Sequence, residues 1–114
     1  VFHQPNPRFP VEVAARLGFT AGQIKTGLLN PLIGNTYAAS SPIGLAAVLD
    51  EAKPGDKILL ASFGSGAGSD AFSFTVQNAI EKSRGVSPTV KSMIAKGTKI
   101  DYSTYTKFRG KLTK

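Results

Sequence analysis

Residues 58 to 77, ILLASFGSGAGSDAFSFTVQ, constrain the fold more than any other part of the chain. The run from Asp56 to Phe63 is apolar and short, which predicts a buried strand rather than a core helix. Residues 70 to 77 alternate: Phe72, Phe74 and Val76 fall on one side, Ser73, Thr75 and Gln77 on the other. That alternation predicts a second strand. Only residues 64 to 69 lie between them, too few for a crossover, so the two strands must pair antiparallel.

The rest of the chain reads largely as helix. Asn6 can cap a helix over residues 6 to 17 with Pro7 at its first position, a stripe at Pro10, Val13, Ala14 and Leu17, and Gly18 as its stop. Thr20 and Gln23 have capping-box spacing for a brief second helix. The interrupted run LLNPLIGN predicts a strand near Leu32 and Ile33. Residues 36 to 52 are apolar nearly all round, which predicts a buried helix, its regular part opening at Pro42 with Ser41 as cap. Helices are expected over 78 to 84 and 89 to 96, while 97 to 114 form a basic, aromatic tail without clear period. Phe2 and His3 read as the end of a strand. Strands alternating with helices make this an α/β chain with mixed strand connections. The absence of an initial Met and this half-strand start suggest a piece of a longer protein.

Charge is uneven. Residues 1 to 77 balance, and the whole net charge of +7 falls in residues 78 to 114. This suggests an anionic ligand or partner near the C-terminal end; the plain alternative is a solvated surface. No apolar run approaches the roughly 20 residues of a membrane span. Nor does the start resemble a signal peptide, so the expected compartment is the cytoplasm. The chain has no cysteine, which excludes disulfides, thiolate metal sites and a cysteine nucleophile within it.

Three motifs are candidates for chemistry. GSGAG at 64 to 68 lacks the Lys and Ser/Thr of a phosphate loop and precedes a strand, so a nucleotide cradle is not expected. It is either a hairpin turn in which glycines supply positive φ, or a place where backbone N–H groups approach a developing oxyanion. In GNTY at 34 to 37, Asn35 either caps the following helix or offers its amide to a substrate carbonyl. His3, the lone histidine, has no second ligand for a metal but can serve as hydrogen-bond donor or acid. Tyr102, Tyr105 and Phe108 among tail cations could stack bases, yet no nucleic-acid-binding fold is recognisable, so nucleic acid is not the expected partner.

HQPNPRF (3–9), IGNTYAASSPIGLAAVLDEAKPGDKILLASFGSGAGSDAF (33–72) and YTKFRGKL (105–112) together resemble the C-terminal half of the archaeal-type hydroxymethylglutaryl-CoA synthases, condensing enzymes of the thiolase superfamily. The resemblance implies a fold class: the C-terminal half of a thiolase-like α/β fold, a mixed sheet with a buried helix, incomplete without its N-terminal half. Residues 1 to 114 then form one C-terminal domain with a basic tail at 97 to 114.

It also implies a reaction, in which an acetylated cysteine is deprotonated by a glutamate and attacks acetoacetyl-CoA, feeding the mevalonate route to isoprenoids. Those two residues belong to the family's N-terminal half. The resemblance assigns His3 and Asn35 to the acetoacetyl thioester, and Gly64, Ser65 and Gly66 to the acyl group. The basic tail becomes a candidate rim for CoA phosphates or a protein partner, through Lys96, Lys99, Lys107 or Arg109. No cofactor is implied beyond the CoA thioester substrates. The implied partners are a second copy in the full-length protein, an acetoacetyl-CoA thiolase and a small zinc-ribbon/OB-fold scaffold. Without cysteine the chain alone should be inert. Two rivals remain: an initiating ketoacyl synthase using malonyl-thioester, and a noncatalytic basic binding module.

Overall fold

The structure is a computed structural model that describes residues 1–64 and 66–111. The hairpin forms as the sequence predicts, but β1 is not the buried strand expected: Ile58 alone among its residues is buried, the others being half-buried or exposed. Strand β1 (Lys57–Phe63) pairs antiparallel with β2 (Ser69–Thr75), from Lys57 opposite Thr75 to Phe63 opposite Ser69. On the other edge of β1, Phe2 bridges Ala61 in parallel. Val1 O accepts from Ala61 N–H and His3 N–H donates to Ala61 O. The sheet itself is two-stranded and antiparallel, and this isolated parallel bridge fastens the start of the chain to β1.

Local signals place several of the helices. Asn6 Oδ1 accepts the N–H groups of Arg8 and Phe9, and α1 (Arg8–Arg16) opens one residue beyond Pro7. Gly18, at φ 82°, ends it. Its expected apolar stripe is only half used: Pro10 and Ala14 are buried, while Val13 and Leu17 are exposed. Thr20 and Gln23 form the reciprocal box at the start of α2 (Ala21–Ile24). Thr89 caps α6 (Val90–Ala95), which follows the single-turn α5 (Ile80–Ser83).

Three further expectations are corrected. Leu32 and Ile33 do not form a strand but close the single-turn helix α3 (Asn30–Ile33). Pro31 suits a first turn, and Leu29 O accepts from both Leu32 and Ile33. The helix predicted over 36 to 52 is a 3-10 turn at Tyr37–Ala39 followed by α4 (Ser40–Glu51), and Ser41 does not cap it. Nor is α4 buried all round: Ser40, Ser41, Gly44 and Ala47 face inward, while Pro42 and Ala46 are exposed. The tail is not without structure, because Asp101 caps α7 (Tyr102–Phe108) by accepting from Thr104 N–H at 2.7 Å.

Helix α4 separates two small cores. On one side Leu29, Ala47 and Val90 pack with Ile43 and Ile94. On the other, Ala52, Ile58 and Val76 pack with Val1, Leu45, Val48, Leu49, Phe74 and Ile80. Its inner face needs small residues. A Cβ on Gly44 would stand 3.0 Å from Gly27 O and 3.0 Å from a Val1 methyl. The last carbonyls of the helix are covered by Arg84, whose guanidinium donates to Asp50 O and Ala52 O. Asp50 in turn accepts Val90 N–H, which joins α4 to α6.

Candidate active site

The far end of β1 brings His3 to the glycine-rich loop. His3 sits half-buried where the opening segment leaves β1, with its N–H on Ala61 O at 3.0 Å. Its ring meets Phe63 edge-on, with centroids 4.6 Å apart and planes at 68°. Phe63 immediately precedes Gly64, so the imidazole lies beside one root of the glycine-rich loop.

The loop closes through Gly64 N–H on Gly68 O at 2.9 Å and Ala67 N–H on Gly64 O at 3.2 Å. It corrects the simple turn reading. Among the described residues the left-handed loop position is Ala67, at φ 62°, while Gly64 and Gly68 are not left-handed. Nor are those glycines crowded: a Cβ on any of them would meet nothing within 4 Å. Packing among the described residues therefore does not require glycine at these positions. Ser65 lies outside the described residues.

Asn35 is exposed on the loop between α3 and the 3-10 turn. Its Oδ1 accepts Tyr37 N–H at 2.7 Å, so it shapes a local turn and does not cap α4. Gly34 and Tyr37 on either side adopt positive φ of 75° and 53°. With Oδ1 engaged, the side-chain NH2 is the group left to donate, and it has no partner among the described residues.

The tail cations stand apart from this cluster. Lys96 ends α6, Lys99 lines an apolar groove of about 960 Å³ against α3, α4 and α6, and Lys107 and Arg109 close α7. All four are exposed, and none makes an ion pair among the described residues. No hydrogen bond joins them to His3, Asn35 or the loop among those residues.

The reading from sequence missed Gln4. It is 2% exposed, and its Oε1 accepts the N–H groups of Leu29 and Asn30 at 2.8 and 2.9 Å while its Nε2 donates to Gly27 O. Gln4 N–H donates to Ser40 Oγ, and Asn30 Nδ2 donates back to Gln4 O. The residue beside His3 thus fixes the segment that leads to Asn35. An amide side chain, with its two acceptor pairs and two donors, is suited to an irregular backbone that lacks ladder partners. A glutamine between histidine and two loop prolines was the available signal.

The family model for "3-Oxoacyl-[acyl-carrier-protein (ACP)] synthase III C terminal" matches residues 1–76, two thirds of the chain and every candidate group except the tail cations. The chain belongs to this family. Its fold is accordingly the C-terminal part of a thiolase-like fold, represented here by a mixed set of helices and a two-stranded antiparallel sheet. Among curated proteins it is 56% identical over 112 residues to a hydroxymethylglutaryl-CoA synthase of Methanosphaera stadtmanae, covering 98% of this chain and 32% of that protein. The synthase of Aeropyrum pernix is 55% identical, covering 98% and 31%. That of Thermococcus kodakarensis is 53% identical, covering 97% and 32%. The chain spans about a third of the length of these relatives. No helix among the described residues is long and apolar enough to cross a membrane.

Proposed function

We propose that the full-length protein condenses acetyl-CoA with acetoacetyl-CoA to 3-hydroxy-3-methylglutaryl-CoA, and that this chain supplies the pocket for the acceptor. A cysteine outside this chain takes the acetyl group and releases CoA. A carboxylate, also outside it, removes a methyl proton. The carbanion adds to the ketone carbon of acetoacetyl-CoA, the ketone oxygen takes a proton, and water cleaves the enzyme thioester. His3 and the Asn35 amide donate to the acceptor's carbonyl oxygens. Gly64, Ser65 and Gly66 are assigned to the acyl group in this reading; Gly64 N–H is already held by Gly68 O, so the donor to the acyl oxygen where negative charge develops is Gly66 N–H. Donors fixed in advance act on such charge more strongly than mobile water.

The observation that carries this reading is the meeting of His3 with the root of a glycine-rich loop whose glycines are uncrowded among the described residues. The names of relatives at more than half identity support it over decarboxylative condensation. Lys96, Lys99, Lys107 and Arg109 fit the phosphates of CoA or an acidic partner face. A homodimer, a thiolase and a zinc-ribbon/OB-fold scaffold are the partners to look for, in the cytoplasm and in isoprenoid supply. In the same reading, residues 1 to 114 act as one domain.

The test compares the full-length protein with residues 1–114 alone, supplied with acetyl-CoA and either acetoacetyl-CoA or a malonyl-thioester. Product from acetoacetyl-CoA with the full-length protein, and none with residues 1–114, is expected. Turnover of the malonyl-thioester alone would move the assignment to a ketoacyl synthase. Salt-sensitive nucleic-acid binding without affinity for CoA would end the enzymatic reading.

A further inference from the structure

The first turn of α4 carries two adjacent buried hydroxyls that reach in different directions. Ser40 is 5% exposed and its Oγ accepts Gln4 N–H at 2.9 Å. Ser41 is 3% exposed and its Oγ donates to Ser62 Oγ at 2.9 Å. Successive helix residues point about 100° apart, so one rigid turn can hold two separate segments of the chain. Neither hydroxyl caps the helix, whose N-cap is Ala39. Both are committed to contacts distant in sequence.

We infer that Ser41, acting through Ser62, is a positioning residue that sets the spacing between the Asn35 loop and the glycine-rich loop. The inference rests on the reaction proposed above. The pairing of the opening segment with β1 reaches only as far as Ala61. Beyond it, Ser62 is the last residue before Phe63 and Gly64. Its hydroxyl is tied to α4, and its carbonyl accepts Ser69 Oγ at 3.1 Å, which clamps the other root of the loop. Helix α4 follows directly on the 3-10 turn that Asn35 enters. The Asn35 amide and the loop N–H groups serve a single reaction, so a shift of one against the other weakens it. A misplacement of about 1 Å can lower a rate by about 100-fold.

The experiment uses the full-length protein with Ser41→Ala, Ser62→Ala, the double variant, and Ser62→Thr. Condensation kcat, KM for acetoacetyl-CoA, the rate of cysteine acetylation and Tm are measured. Each alanine variant is expected to lose about tenfold in condensation kcat, with KM within about twofold; Tm should hold in Ser41→Ala and fall modestly in Ser62→Ala, which leaves the buried Ser41 hydroxyl unpaired. The double variant should be no worse than the worse single one, because both remove the same bond. Ser62→Thr keeps the hydroxyl and should restore the rate. Unchanged kcat in Ser41→Ala, fully additive losses, or a loss that tracks unfolding and that threonine does not rescue each overturns the inference. If the wild type is active and the variants match it, this inference alone fails. If the wild type does not condense acetyl-CoA with acetoacetyl-CoA, the proposed function fails and this inference falls with it.

Discussion

Replacing Gln4 by leucine deletes three hydrogen bonds while keeping most of the volume. The backbone bonds of Gln4 to Ser40 and Asn30 survive, so the loss isolates the amide. Leu29 N–H and Gly27 O both belong to buried residues and would lose their partner, while Asn30 is half-exposed and can turn to water. Each buried group left unsatisfied costs about 1–3 kcal/mol, or about 4 kcal/mol for the two. The apolar surface of leucine offsets about 1 kcal/mol, leaving a net loss of about 3 kcal/mol. Urea denaturation of the full-length protein should show that loss, and hydrogen exchange should quicken at Leu29 and Asn30. Gln4→Glu sharpens the test. It keeps the acceptor but sets a carboxylate against Gly27 O, so burial should raise its pKa in the folded state. The deficit then shrinks as pH falls through that raised value and levels off below about 4.3, where the unfolded carboxyl is also protonated. A Gln4→Leu protein within about 0.5 kcal/mol of wild type would refute the reasoning.

Gly44→Ala forces a methyl against Gly27 O, and crowding of about 1–3 kcal/mol should outweigh a helix-propensity gain of about 1 kcal/mol; a more stable variant by thermal denaturation would contradict this. Gly66→Ala meets open space, so stability should hold while condensation falls at least tenfold; full activity would separate the loop from the substrate. His3→Ala should cut condensation on the order of 100-fold and spare cysteine acetylation, followed as burst CoA release; near-normal condensation would remove His3 from the site. Thr104 N–H holds the Asp101 carboxyl below its ordinary value, so the capped form of α7 persists above the ordinary Asp range and loosens only as pH drops through the lower folded value. An NMR titration of the Thr104 amide should therefore show a midpoint below about 3.9, and a higher midpoint would count against the cap.

The parts of the fold legible in the sequence are those whose cause lies within a few residues. Asn6 and Thr20 hold the first turns of α1 and α2, and the alternation from Phe72 to Val76 needs only a nearby partner strand. The errors arise where the cause is remote or hidden by composition. Leu32 and Ile33 form a helical turn, with Leu29 and Asn30 at its entrance held by the side chain of Gln4, some 25 positions away. The tail helix was signalled by Asp101 three residues before Thr104, and by tyrosines at 102 and 105 whose rings lie 6.2 Å apart. The weight of its positive charge drew the reading toward a surface instead. The exposed side of α4 has a different cause. Its sequence is apolar enough for full burial, but the two cores cover only part of its circumference.

Glycine serves two distinct ends here, and the contrast bears on function. At Gly44 it permits contact inside the chain, where any larger residue meets the Gly27 carbonyl. In the loop the glycines meet nothing among the described residues, while the left-handed Ala67 carries a typical cost of about 1–2 kcal/mol that a glycine there would remove. A loop tuned only for turning would place glycine at 67 and ordinary residues at 64, 66 and 68. The sequence does the reverse. Alanine tolerates the turn, while glycines keep the surrounding backbone bare beside the His3–Phe63 contact. Bare backbone is useful where N–H groups must come within hydrogen-bond reach of a ligand atom, because a Cβ would hold that atom away. His3 meets the root of the same loop through Phe63, and the Ser41–Ser62 bond fixes that root against α4. In the proposed reaction these three segments would supply a donor, a bare backbone and a clamp that relates them, which together suit the stabilisation of an oxyanion.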